Sequence, residues 1–169
     1  MTAALKTGLT LLGLVLMLFA GVSWGFDQVS KPFPKKPDAP LCIDTSYAAG
    51  DTLSPAKVTV SVLNASGREG LAGRTMQLLT QNGFARGQTA NAPEGTTVAA
   101  PAEIWVTDRK NPAVQLVRSW LGKVPVRVRS ELPSAGIDVV VGDQFAELTQ
   151  GLASVTVKDD AVVCSPELE

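Results

Sequence analysis

Two patterns of hydrophobic positions divide this chain. From Thr7 to Phe26, 20 largely apolar residues contain no charged side chain, and Trp24 lies near the far end of that stretch. Because about 20 apolar residues at 1.5 Å rise cross a hydrocarbon core of about 30 Å, the stretch predicts a transmembrane helix with an aromatic residue at the interface. A cleaved signal peptide is the alternative, since Leu9–Phe19 has the length of its apolar region.

The segment that follows lacks a regular hydrophobic pattern. It contains three lysines and four prolines, Pro32, Pro34, Pro37 and Pro40. This composition predicts a stiff, extended tether that cannot pack, and turn signals then indicate an irregular lead-in. The predicted organisation is a short cytoplasmic tail at 1–6, a transmembrane anchor at 7–26, tether and lead-in at 27–56, an extracytoplasmic domain at 57–164 and a tail at 165–169.

Periodicity in the rest of the chain predicts two successive βαβ units followed by further strands. Alternating or continuous apolar runs predict strands at 58–63, 84–89, 103–107, 124–129, 137–142 and 154–163. Helical spacing predicts helices at 71–82, ended by Gly83, at 113–121, preceded by Asn111 as N-cap and Pro112, and from Asp143 to Leu148.

Parallel strands need crossover connections, and two of the predicted helices can supply them. The element order therefore predicts an α/β (α+β) fold with a mixed sheet and two main helices packed mostly on one face. A three-layer sandwich is the alternative. Trp105 lies in an apolar strand and is predicted to belong to the core.

Composition excludes several classes of function. The chain has no histidine, which rules out Ser-His-Asp and Cys-His catalytic sites and the commonest metal ligand. Residues 42–169 hold 11 basic and 14 acidic side chains, a net charge of −3 that counts against a nucleic-acid partner. No Walker lysine or dinucleotide fingerprint follows the first strand, and no cofactor or metal is predicted.

Cys42 and Cys164 bracket the predicted domain and are the only cysteines. An even number at the two ends predicts a disulfide, which persists in oxidising compartments outside the cytosol; two unrelated thiols are the alternative. The flanking charges point the other way. Lys6 precedes the apolar stretch, whereas three lysines follow it, and the positive-inside rule would keep the domain in the cytoplasm. The predicted extracytoplasmic location therefore rests on the cysteines.

Two groups of residues are candidates for ligand binding. The turn after the first strand contains Asn64, Ser66, Gly67 and Arg68, where free backbone N–H groups and a helix dipole suit an anion. The alternative is a tight βα turn in which the side chains satisfy backbone groups.

Arg127 and Arg129 lie two apart in a strand and share a face, with Arg118 on the preceding helix. They form either a basic strip for an anionic envelope polymer or a solvated strand face. Four acidic residues, Asp143, Glu147, Asp159 and Asp160, are interpreted as a helix cap and turn residues, because nothing fixes a pair at catalytic spacing.

Several of these segments resemble the LytR C-terminal domain family (LytR_C) over roughly residues 57–146. The resemblance is carried by Val-Leu-Asn-Ala-Ser-Gly at 62–67, Gly-Leu-Ala at 70–72, Asn-Gly-Phe at 82–84, Asn-Ala-Pro at 91–93 and Asp-Val-Val-Val-Gly-Asp-Gln-Phe at 138–145. In that family the domain often follows a LytR-CpsA-Psr catalytic domain, which attaches glycopolymers to peptidoglycan. The present chain is too short to contain that catalytic part.

A lone domain behind one membrane span, flanked by cysteines, is similar to the actinobacterial envelope integrity proteins. The resemblance implies a non-enzymatic role in cell-envelope integrity or cell-wall assembly, through binding of peptidoglycan-linked polymers or LytR-CpsA-Psr ligases. A sensor or regulatory membrane protein and an enzyme that modifies a wall polymer are the alternatives. The resemblance supplies no catalytic residues.

Overall fold

The computed structural model describes residues 3–30 and 42–167. Helix α1 spans Ala3–Ser30 and contains a stretch, Gly8–Phe26, that is long and apolar enough to cross a membrane. The helix begins at Ala3, within the segment predicted as a tail, and ends at Ser30, within the segment predicted as a tether. The division into tail, anchor and tether stays a prediction. Most of the proline-rich tether lies outside the described residues.

The chain divides into two units, one ending at Asp38 and one beginning at Ala39. The second unit contains all the strands that the structure describes. Its strands are β1 (Ile43–Tyr47), β2 (Thr52–Leu53), β3 (Thr59–Asn64), β4 (Ala85–Asn91), β5 (Ala102–Val106), β6 (Val126–Val128), β7 (Ile137–Val141), β8 (Val155–Thr156) and β9 (Ala161–Ser165). Its helices are α2 (Leu71–Gln81) and α3 (Pro112–Leu121), with a 3₁₀ turn at Pro55–Lys57.

The central sheet has five strands in the order β4-β3-β7-β5-β6. Strand β3 runs parallel to both β4 and β7, and β5 runs parallel to β6. The two βαβ units meet through β7, which pairs with β5 in the antiparallel sense. The predicted mixed sheet is confirmed.

Both main helices pack on the same face of this sheet, as predicted. Helix α2 buries Leu71, Ala72, Thr75, Met76 and Leu79, and α3 buries Ala113, Val114, Leu116, Val117 and Leu121. These apolar side chains share one core cluster with Val60, Ile104 and Val139 of the central strands. Helix α3 has the predicted N-cap, because the side chain of Asn111 accepts a hydrogen bond from the backbone N–H of Ala113.

The opposite face of the sheet is covered by loops. Leu63, Trp105 and Val140 form a second apolar cluster, against which Ala92, Val98 and Leu132 pack from two loops. Trp105 is a core residue, as predicted. The loop before β7 is held down where the Ser61 hydroxyl donates to the carbonyl of Ala135 at 2.7 Å.

The prediction of an irregular lead-in before the domain is wrong in part, because two segments of the lead-in form strands. β1 pairs with β9 and β2 pairs with β8, both antiparallel, so the terminal run predicted at 154–163 is split into two short strands. Cys42 and Cys164 form a disulfide across a sequence separation of 122 residues, with 5.4 Å between their Cα atoms. In both pairings the two strands are remote in the sequence, so no local pattern indicated them.

The predicted helix from Asp143 to Leu148 does not form. The segment has no helical assignment, and the Asp143 carboxylate accepts a hydrogen bond from Gly67 instead of capping its own segment. Phe145 is buried in the main core, whereas its immediate neighbours are exposed. Phe145 and the half-buried Leu148 are the large apolar side chains by which this segment contacts the core, and helices this short are only marginally stable by themselves.

Candidate functional site

The turn after β3 is closed by its own side chains. The Asn64 carbonyl oxygen accepts hydrogen bonds from the Ser66 N–H at 3.0 Å and the Ser66 hydroxyl at 2.7 Å. The Asn64 amide donates to the carbonyl of Arg68 at 2.8 Å. The N–H of Arg68 in turn donates to the Ser66 hydroxyl oxygen at 3.1 Å. The sequence therefore builds a compact turn that leads into α2.

The carboxylate of Asp143 binds the backbone of this turn. The N–H of Gly67 donates to the Asp143 carboxylate at 3.0 Å. The Arg68 guanidinium donates to the carbonyls of Asp143 at 3.1 Å and Phe145 at 2.6 Å. These contacts give Gly67 and Arg68 a structural role in joining the turn to the segment after β7. Ligand binding by this turn stays a prediction.

The two strand arginines share the loop-covered face of the sheet, but each is engaged by the domain itself. Glu103 is buried on β5, and its carboxylate accepts hydrogen bonds from Arg127 Nε at 2.7 Å and Nη2 at 2.9 Å. The hydrogen bond with Glu103, followed by its negative charge, raises the pKa of Arg127. This two-point contact neutralises the carboxylate inside the fold.

Arg129 covers the ring of Trp105, with its guanidinium carbon 3.5 Å from the ring centroid. The indole N–H of Trp105 donates to Glu103 at 3.3 Å. Glu103, which binds Arg127, and Trp105, which Arg129 covers, are thus linked to each other on β5. Arg118 does not join them; it lies on α3, which packs on the opposite face. The predicted ligand-binding role of Arg127 and Arg129 stays a prediction.

Asp138 is a buried carboxylate. The sequence pattern placed it in an apolar strand but did not single it out as a functional residue. It lies on β7 opposite Trp105, and it is fully buried. Neither of its side-chain oxygens makes a hydrogen bond of normal length and angle with another described residue. Burial raises the pKa of Asp138 to about 6, while the nearby Ser134 and the charge of Arg129 act in the opposite direction.

Replacing Asp138→Asn is expected to stabilise the domain at pH 7.5. The native pKa of about 6 lies above the unfolded value near 4, so the native state binds the proton more tightly. The wild-type domain therefore loses stability as the pH rises from about 4 to about 6, on the order of 2–3 kcal/mol. Urea unfolding of both proteins between pH 4 and 7.5 measures this, and a stability difference that stays constant with pH would contradict it.

A large concavity among the described residues is a groove beside α3, about 1450 Å³ in volume. It runs between the β5–α3 loop, the exposed side of α3 and the segment joining β8 to β9. Five cationic side chains line it: Arg109, Lys110, Arg118, Lys123 and Lys158. We call this the α3 groove. Of this set, the sequence pattern singled out only Arg118, since Lys158 comes from a remote strand connection.

The fold thus defined is a small mixed α/β domain closed by a disulfide, in a chain that also holds an apolar helix. The model of the LytR_C family, described as the LytR cell envelope-related transcriptional attenuator, matches residues 57–145. This is more than half of the chain, which therefore belongs to the LytR_C family, as the sequence motifs indicated. No curated protein matches the chain.

One solved structure that this chain matches is the soluble domain of a conserved hypothetical secreted protein, the Rv2700 ortholog from Mycobacterium marinum. The two sequences are 23% identical, and the match covers 62% of this chain and 79% of the other, with a TM-score of 0.48.

Proposed function

We propose that this protein is a non-enzymatic, extracytoplasmic module of the cell envelope, held on the cell membrane by α1. Its role is to support envelope integrity or wall assembly by binding wall polymers or the ligases that attach them. Membership of a family described as cell envelope-related supports the envelope setting. A helix with a membrane-spanning stretch, Gly8–Phe26, supports the anchor.

The observation that carries the location is the disulfide between Cys42 and Cys164. Disulfides persist in oxidising compartments, whereas cytosolic thiols are kept reduced. The lysines on the two sides of the apolar stretch favour the opposite orientation. The positive-inside rule is only a statistical bias, however, whereas a stable disulfide requires an oxidising compartment. The proposed orientation therefore rests on the disulfide.

Binding is favoured over catalysis by the chemistry of the polar groups. The chain has no histidine, and the Asn64 turn uses its polar groups to hold itself and the Asp143 segment together. Glu103 is buried and held in a two-point contact with Arg127, which gives its carboxylate a structural role. The α3 groove, by contrast, presents charged side chains to solvent over a long surface.

Thiol labelling of whole cells tests the location. With a membrane-impermeant maleimide, we expect the wild-type chain to be labelled only after a reductant is added. The Cys42→Ser variant is the matched control, since its Cys164 thiol should be labelled without reductant. Labelling of the variant only after the membrane is permeabilised would place the domain in the cytoplasm and overturn the proposal.

Retention on isolated cell-wall material tests the binding part. The full-length chain in detergent is expected to sediment with wall sacculi, and boiled, protein-free sacculi distinguish polymer binding from ligase binding. Failure to sediment with either preparation, together with unchanged envelope permeability in a deletion strain, would contradict a role in the envelope.

A further inference from the structure

We propose that the α3 groove binds a linear anionic wall polymer, a polysaccharide or polyol-phosphate chain whose repeating units carry carboxylate or phosphodiester groups. This inference rests on the proposed function and names the ligand class and the surface that binds it. Three properties of the groove support it: its charge, its length and the nature of its walls.

The groove is a local positive region in a domain of net negative charge. Its five cationic side chains face three acidic ones, Asp108, Asp159 and Asp160. Two of these carboxylates already accept backbone hydrogen bonds, Asp108 from the N–H of Lys110 at 2.9 Å and Asp160 from the N–H of Ala49 at 3.0 Å. Five cationic and three acidic side chains leave the groove with an excess of two positive charges.

The cationic side chains of the groove are not engaged in ion pairs within the described part of the chain. The salt bridge found there joins Arg127 to Glu103, on the other face of the sheet. Arg109 donates a hydrogen bond to the carbonyl of Val126, and this contact fixes it at the groove wall. Lys110, Arg118 and Lys123 are exposed to solvent and can bind an anion. Several such cations on one surface attract a polyanion over distances comparable to the Debye length.

The spacing of these cations suits a chain with repeated charges. Lys110 and Lys123 lie before and after α3, whose 10 residues at a rise of 1.5 Å span about 15 Å. Arg118 lies between them on the exposed side of the helix, and Lys158 faces them from the β8–β9 connection. A single phosphate contacts one or two such groups, whereas a polymer can contact all of them. The groove volume of about 1450 Å³ also exceeds the range of roughly 300–1,000 Å³ common for small-molecule pockets.

The walls argue against two other occupants. Among the described residues that line the groove there is no aromatic side chain, and its strongly exposed large apolar residues are Leu152 and Val162. Protein interfaces depend on aromatic and apolar anchors at their centre, which this surface lacks. A lipid bilayer presents a broad, flat surface, whereas these lysines and arginines line a concave groove that a single chain can enter.

The test measures binding of full-length protein in neutral detergent to three polymers: polygalacturonate, poly(glycerol phosphate) and neutral dextran. Wild-type protein is expected to bind one or both anionic polymers, more weakly as salt is added, and not dextran. The Arg118→Gln/Lys123→Gln variant is expected to bind about tenfold more weakly, because two exposed charges no longer attract the polymer.

Two matched variants make the result interpretable. Arg74→Gln/Arg86→Gln removes the same charge from α2 and β4, outside the groove, and should bind within about twofold of wild type. Arg118→Lys/Lys123→Arg keeps both charges in the groove and should bind as wild type does. All variants are compared by thermal unfolding, since these exposed positions are expected to leave the melting temperature unchanged.

The outcomes separate this inference from the proposed function. Equal losses of affinity in the groove variant and the Arg74/Arg86 control would overturn the groove as the site, as would equal binding of dextran. Binding to vesicles of anionic phospholipid, abolished in the groove variant and without polymer binding, would assign the groove to lipid headgroups instead. If the groove variant still sediments with wall sacculi as wild type does, the groove proposal fails while the envelope role stands.

Discussion

Reduction of the Cys42–Cys164 disulfide is expected to lower the free energy of unfolding by about 5 kcal/mol. The bond closes a loop with a sequence separation of 122 residues, and a crosslink over a loop of this size removes about that much chain entropy from the unfolded state. Since small domains are stable by only about 5–15 kcal/mol, the decrease is a large share of the total. Urea unfolding of the full-length chain with and without reductant, followed by tryptophan fluorescence, measures it.

The Cys42→Ser/Cys164→Ser variant provides the control for this experiment. It should unfold at the urea concentration of the reduced wild type, and reductant should not change its transition. The pairing of β1 with β9 is expected to separate first, because the disulfide joins the ends of these two strands. If reductant left the wild-type transition unchanged, the disulfide would not contribute to the stability of the domain.

Replacing Gly136→Ala is expected to destabilise the domain by about 3 kcal/mol or more. Gly136 has φ of +80°, and a Cβ atom at this position would lie 2.1 Å from the carbonyl oxygen of Thr59. The obstacle is backbone of β3, an inner strand of the sheet, and cannot rotate away. The loop before β7 would have to lift from Thr59 and Ser61, and with it the cover over Asp138.

Gly95 provides a matched control for this substitution. It has φ of +77°, nearly the same as Gly136, but nothing lies within 4 Å of the Cβ position. Gly95→Ala should therefore cost only the left-handed backbone conformation, about 1–2 kcal/mol. The difference between the two variants measures the close approach at Thr59. Equal destabilisation in thermal unfolding would show that the contact is relieved without cost.

The pH dependence predicted for Asp138 and the contacts of Arg127 and Arg129 have one physical cause, the burial of polar side chains under the loops that cover the sheet. The loop-covered face of the sheet buries polar side chains, among them Glu103, Asp138 and Ser61, in strands whose other face meets the helices. Glu103 is compensated by a two-point contact with Arg127, whereas Asp138 has only a nearby arginine and serine. The same sheet face thus holds one carboxylate that is paired with an arginine and one whose ionised form is destabilised by burial.

The local elements of this protein follow from residue types and their spacing along single segments. An uninterrupted apolar stretch is sufficient for α1, since helix formation depends on nearby residues. The apolar spacing predicted α2 and α3, Asn111 and Pro112 marked the start of α3, and apolar runs marked β3, β5 and β7. Two cysteines at the ends of the domain were enough to predict the disulfide.

The meeting of remote segments, in contrast, became visible only in the folded domain. The order β4-β3-β7-β5-β6 places β7 between the two βαβ units, and no local pattern specifies that position. Asp143 was predicted to cap its own segment but binds Gly67, 76 residues away. Glu103 meets Arg127 across the pairing of β5 with β6, and Lys158 reaches the α3 groove from the connection between β8 and β9. Such contacts depend on how sheets and loops pack across the whole domain, which the periodicity of a single segment does not encode.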